Sequence, residues 1–181
     1  MFLLVGGAVG LVASLTLTIE RFKLFLDPGY VPSCSLNPVL SCGSVMTTSQ
    51  AAVLGFPNPI VGIGAFAVVV VTGVLTVAGV ILPRWYWVGL SVGLAGGVVF
   101  IHWLIFQSVY RIGALCPYCM AVWAVTVPLW VVTTTAAVQP VREHSPLSVA
   151  LRWRWTAVSL WFTALVLVVL ERFWDYWSTL L

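Results

Sequence analysis

Four cysteines carry the chemistry open to this sequence: Cys34 and Cys42 early in the chain, then Cys116 and Cys119 much later. Cys116-Pro117-Tyr118-Cys119 has the two-residue gap of a redox-active dithiol. Cys34 and Cys42 are separated by seven residues rich in Ser, Pro and Asn, a stretch that cannot cross a bilayer. Taken alone, that pair could simply brace a loop. Beside a second pair it suits thiol–disulfide exchange, in which a thiolate attacks a disulfide sulfur and electrons pass onward. An even number of cysteines at such spacings points to disulfide chemistry on the oxidising side of a membrane. Zinc is a rival, but structural zinc sites use two tight knuckles and this chain has one. A soft-metal carrier or metal-binding membrane protein using the CxxC is the other alternative, and it would need further Met or Cys ligands within the apolar segments. Met1, Met46 and Met120 are the only methionines and line no path, so no metal is expected.

The elements that must position these pairs are apolar. Of 181 residues, 61% are hydrophobic and 7% charged, too little charge for a water-soluble domain. The net charge of +3 is scattered, which excludes the clustered basic face of a nucleic-acid binder. Long uncharged stretches match the roughly 20 residues that cross a bilayer as a helix, and backbone in lipid must satisfy its own hydrogen bonds. The pattern predicts an all-α membrane protein, one domain over 1–181, with five transmembrane helices at about 1–19, 59–82, 85–109, 116–138 and 155–170. The first stretch lacks the positive start and cleavage site of a signal peptide, so it reads as a retained helix ending before Glu20, Arg21 and Lys23. Residues 20–57 form an extramembrane redox loop. Within it, Asn37-Pro38 has the form of an N-cap followed by proline at the first helical position, predicting a short lid helix that carries Cys42 one turn in.

Two spans separate this loop from the turn at 110–115, so both cysteine pairs fall on one face of the membrane. The Lys/Arg distribution does not choose that face: Arg84, Arg142, Arg152 and Arg154 lie on one side, Arg21, Lys23, Arg111 and Arg172 on the other. The redox requirement places the cysteines on the exoplasmic (extracytoplasmic) side of a cell membrane. Gln139-Pro140 stops the fourth span, and a polar connection with Arg142, Glu143 and His144 leads to the fifth. Trp85, Trp87, Trp153, Trp155, Trp174 and Trp177 sit near span ends as interfacial anchors. Gly62, Gly64, Gly93, Gly96 and Gly97 read as close-packing positions between helices, and His102 as a packing residue facing a neighbour's backbone.

If Cys116 opens the fourth helix, Cys119 lies on about the same face and about 4.5 Å deeper. The unpaired N–H groups and dipole at a helix N-terminus favour a thiolate there. The shallow cysteine can then meet the loop thiols while the deeper one faces a lipid-soluble two-electron acceptor. A quinone in an apolar slot with a few polar groups is the natural choice.

With the loop pair Cys34/Cys42, Thr48 a few residues later and Cys116/Cys119 at the outer end of a later helix, the chain resembles the vitamin K epoxide reductase family. Asn58, in Phe56-Pro57-Asn58-Pro59-Ile60-Val61-Gly62, matches the asparagine that holds a quinone carbonyl in the family's animal members. The resemblance covers roughly residues 1–139, and the fifth helix resembles the bacterial branch, whose members oxidise a thioredoxin-like partner and reduce quinone. It implies four helices around a quinone pocket plus an extra helix. It further implies that Cys34 exchanges with a separate thioredoxin-fold dithiol protein, that Cys42 passes electrons to Cys116, and that Cys119 faces the quinone, in support of disulfide-bond formation. A menaquinone, ubiquinone or phylloquinone type is the implied acceptor, with Asn58, Trp123 and Thr48 as its candidate binding residues. Trp123 stands where the animal enzymes have a tyrosine four residues beyond the CxxC. Its indole N–H can donate but its shape differs, which favours a quinone over an epoxide as substrate. Asn58 also suits a plain turn, and Thr48 a backbone bond in the short helix. The unrelated disulfide-bond-B type of quinone reductase places its CxxC in the first outer loop, the reverse of the order here.

Overall fold

A computed structural model describes residues 1–138 and 152–179. The helices are α1 (Phe2–Leu26), α2 (Cys42–Met46), α3 (Pro59–Val77), α4 (Arg84–Phe106), α5 (Pro117–Val138), α6 (Arg154–Arg172) and α7 (Trp174–Trp177). A 3-10 turn covers Ser49–Ala52, and a π-helical turn, Gln107–Ile112, continues α4. Among the described residues, five segments are long and apolar enough to cross a membrane: α1, α3, α4 with its π turn, α5 and α6. No strand occurs among the described residues. Several hydroxyl groups within these segments are satisfied locally, as lipid favours: Thr72, Thr126, Thr133 and Thr135 each donate to the carbonyl four residues back.

α1 packs on α3 and α5, and α4 packs on α5, while α6 lies outside this set of four and touches mainly α5. α3 and α4 hardly meet. At the end remote from the cysteines they are joined by a 2.6 Å bond between the Thr72 and Tyr86 hydroxyls. Along the rest of their length a cavity separates them.

Glycine does different work on the two sides of that cavity. At the α1–α3 seam a Cβ on Gly10 would collide with the Phe66 ring, one on Gly73 would sit 2.5 Å from the Leu4 backbone nitrogen, and one on Gly62 would sit 2.5 Å from Ser14 Oγ. Missing side chains let these backbones approach, which is how helices associate where lipid removes the hydrophobic drive. The expectation of close packing fails elsewhere. A Cβ on Gly64, Gly93 or Gly96 would meet nothing within 4 Å, and one on Gly97 only the Thr126 methyl at 3.7 Å. Gly89, Gly93 and Gly97 recur every fourth residue along one face of α4 and form a cavity wall.

Several boundaries differ from expectation for local reasons. α1 runs on through Glu20, Arg21 and Lys23 to Leu26, because Glu20 finds partners of its own in the following loop. α3 stops at Val77, where Gly79 adopts a left-handed φ of 78° and turns the chain. The lid helix begins at Cys42 rather than at Asn37, with Ser41 as its N-cap accepting from Ser44 N at 3.3 Å. Asn37 instead closes a tight turn, its Oδ1 accepting from Val39 N and Leu40 N. A helix from Asn37 would need the Val39 carbonyl, which Leu115 N occupies at 2.7 Å. His102 bonds a side chain rather than a neighbour's backbone. Its Nδ1 donates to Val98 O in its own helix, and its Nε2 accepts from the Trp161 indole at 2.8 Å, tying α6 to α4. Gln139-Pro140 and the connection bearing Arg142, Glu143 and His144 lie outside the described residues.

Candidate active site

The first cysteine pair is held by two anchors. The buried Glu20 carboxylate accepts from Tyr30 Oη at 3.0 Å and from Ser33 N and Oγ at 3.2 Å each, with Lys23 Nζ 3.8 Å away. Cys34 follows directly on Ser33. Hydrogen bonds to a charged group are stronger than neutral ones, so one carboxylate at the end of α1 fixes the entry to the loop. The second anchor is a two-bond parallel bridge between Leu40 and Leu115, made of Leu115 N to Val39 O at 2.7 Å and Ser41 N to Leu115 O at 2.9 Å. It locks the residues just before Cys42 to the residue just before Cys116.

The sulfurs follow from those anchors. Cys34 and Cys42 form a disulfide with Cα atoms 5.5 Å apart, within the usual range for such a bond. Cys42 Sγ lies 3.1 Å from Cys116 Sγ, and all three residues are buried. The Cys34, Cys42 and Cys116 sulfurs lie within 4.8 Å of one another. Three thiolates so placed could take a soft cation, but with Cys34 and Cys42 joined only Cys116 can supply one.

Cys116 stands at the mouth of α5, whose first helical residue is Pro117, the position where a missing N–H is harmless. Its carbonyl accepts from Met120 N, and its sulfur accepts from Cys119 N at 3.5 Å, the arrangement of a capping side chain with sulfur in the place of oxygen. Hydrogen bonding from the Cys119 thiol, opposed by burial and aided by the Cys119 and Tyr118 amides, holds the Cys116 thiol below its ordinary pKa. The thiolate is the nucleophile in exchange and the low-pKa thiol the better leaving group, so Cys116 is fitted to exchange with the neighbouring loop disulfide in either direction.

Cys119, one turn further in, lines the cavity of about 530 Å³ bordered by α1, α3, α4, α5 and the end of the redox loop. Thr48, Asn58 and Trp123 line the same cavity. Trp123, one turn below Cys119, is among the most deeply buried side chains of the chain. Thr48 Oγ1 donates to Val45 O at 2.8 Å. The Asn58 amide donates to Gln50 O at 2.7 Å and accepts from Val53 N at 3.0 Å, folding residues 50–53 over the cavity mouth. One of its two amide hydrogens remains for a ligand.

Glu20 and Arg21 were not candidates from sequence, because a charged pair after an apolar run looks like a span boundary. Helical spacing carries the missing signal: Ser14, Leu17 and Arg21 share one face of α1, and all three line the cavity.

A disulfide in contact with the leading thiol of a CxxC, whose second thiol opens on an apolar chamber among spanning helices, defines a redox protein of the membrane. The chain falls in a known group of these. Residues 1–134 match the vitamin K epoxide reductase family, and the protein belongs to it. Comparison with curated proteins returns no match.

Proposed function

We propose that this protein is a thiol:quinone oxidoreductase of the family's bacterial branch, with its cysteine end on the extracytoplasmic side. A separate thioredoxin-fold dithiol protein attacks Cys34 of the loop disulfide and leaves as a disulfide, reducing the Cys34/Cys42 pair. Cys42 then attacks Cys116 of an oxidised Cys116–Cys119 bond, releasing Cys119, and Cys34 resolves the mixed disulfide. The Cys116/Cys119 dithiol finally returns to a disulfide as its two electrons and two protons pass to a quinone in the cavity. Each step moves two electrons and exchanges one S–S bond for another or for a quinol.

The observation that carries this reading is the 3.1 Å separation of the Cys42 and Cys116 sulfurs above a cavity that Cys119 lines. Reacting atoms held about 3–3.5 Å apart are at near-attack distance. The apolar chamber and its few polar groups suit a quinone ring, and α6 outside the four-helix set favours the bacterial branch. The test is quinone reduction by the purified protein with a reduced thioredoxin-fold protein as donor. Turnover is expected, and Cys34→Ser should abolish it with the protein donor while largely sparing a small dithiol donor. Absence of cysteine-dependent turnover with every donor would overturn the proposal.

A further inference from the structure

Among the described residues that line the chamber, Arg21 alone is ionised, and the others are apolar or carry neutral polar groups. Its guanidinium rests over the Phe25 ring, 4.4 Å from the centroid, and makes no ion pair or hydrogen bond among the described residues. Its Nε is buried without a partner. An unpaired donor on a cation at an apolar chamber is costly to hold in place for stability alone, since a buried polar group without a partner loses its hydration and gains nothing in return. Glu20, the adjacent carboxylate, gives no relief, because its oxygens are taken by Tyr30, Ser33 and Lys23.

We infer that Arg21 is a catalytic residue of quinone reduction, donating to the quinone oxygen that becomes negative as electrons arrive. This rests on the quinone reading above. The Cys116 and Cys119 sulfurs lose two electrons as their S–S bond forms, and the quinone gains the same two. The two thiol protons, or their equivalents from water, end on the two quinol oxygens. Until the second proton arrives one oxygen is an anion, in a chamber whose other lining groups are neutral. A preplaced cationic donor is worth most where charge develops in a water-poor site. It forms a shorter and stronger hydrogen bond with an oxyanion than with the neutral carbonyl of the oxidised ring. Asn58, with one hydrogen free, is suited to hold the neutral carbonyl in the ground state, so the two residues divide binding from catalysis.

Arg21→Gln, Arg21→Lys and the natural protein are to be compared after verifying by thermal unfolding and by non-reducing peptide mapping that each retains its fold and the Cys34–Cys42 bond. With a water-soluble quinone and a small dithiol donor, Arg21→Gln should lower kcat on the order of 100-fold with KM changed less than about threefold. Arg21→Lys should recover part of the loss. Across a series of acceptors the deficit should shrink as electron-withdrawing substituents make the quinol more acidic. A readout independent of turnover is binding, followed by quenching of the cavity tryptophans Trp85 and Trp123. The variant should bind a neutral 1,4-naphthoquinone as before and the anionic 2-hydroxy-1,4-naphthoquinone, whose ring oxygens share a negative charge, about tenfold more weakly, a loss of about 1.4 kcal/mol. Equal loss for both ligands, or a kcat deficit independent of the acceptor, would make Arg21 a structural residue and overturn the inference. So would a deficit present in phosphatidylglycerol vesicles and absent in phosphate-free maltoside micelles, which would assign the guanidinium to lipid phosphate. If the natural protein itself shows no turnover, the quinone reading has failed, whereas full activity of Arg21→Gln beside an active natural protein refutes the role of Arg21 alone.

Discussion

The α1–α3 seam and the α3–α4 gap are built from the same amino acid and come out opposite. Gly10, Gly62 and Gly73 sit where a single added carbon would strike a ring, a hydroxyl or the facing backbone, so glycine there closes the space between helices. Gly89 and Gly93 sit where the same carbon would meet nothing, so glycine there opens space. The lesson is that a small residue has no fixed meaning on a membrane helix. Its effect depends on whether the opposite surface is free to approach, and the tie between Thr72 and Tyr86, with α5 behind, leaves α3 and α4 spread.

Substitution separates the two regions. The largest effect should come from the seam. Gly10→Leu forces a branched side chain against Phe66 and should cost about 3 kcal/mol, at the upper end for overpacking. Thermal unfolding in detergent measures it, and an unchanged midpoint would mean that the seam is looser than the structure shows. Next is the cavity mouth. Asn58→Ala removes the bonds to Gln50 and Val53 and the hydrogen left for a ligand, and should raise the quinone KM by an amount equivalent to about 2 kcal/mol. Loss confined to thiol-donor kinetics would remove Asn58 from the quinone site. Smaller again is the open wall. Gly93→Leu should leave stability within about 1 kcal/mol while raising the quinone KM about tenfold, because its side chain grows into the chamber. If Gly93→Leu destabilises as much as Gly10→Leu, the two regions are not different in kind.

Much of this arrangement was legible in the sequence, and what was not has physical causes. The five apolar segments and the placing of both cysteine pairs at one end of the bundle follow from hydropathy and from counting spans, while the contact between Cys42 and Cys116 was only implied by the family resemblance. The start of the lid helix was hidden because Asn37-Pro38 is a sound capping signal that loses to a bridge with Leu115, a residue far along the chain. Glu20 and Arg21 were hidden because hydropathy treats charge as the end of a span. Here the Glu20 charge is held by hydrogen bonds from Tyr30 and Ser33 with Lys23 beside it, and the Arg21 charge stands at a cavity, so α1 continues. The glycines of α4 were misread because spacing reports which face they share and not what lies opposite.

The central claim is that the two cysteine pairs exchange directly, and it is tested by removing the thiol that returns Cys116 to its own pair. In Cys119→Ser, Cys116 can still attack Cys42, breaking the Cys34–Cys42 bond and leaving Cys34 as a free thiolate to be captured by iodoacetamide. Peptide mapping without reductant should then show residues 42 and 116 joined and Cys34 alkylated, as the 3.1 Å contact between their sulfurs predicts. Recovery of the intact Cys34–Cys42 bond with Cys116 alkylated in its place would contradict the account, and would reduce the loop disulfide to a brace.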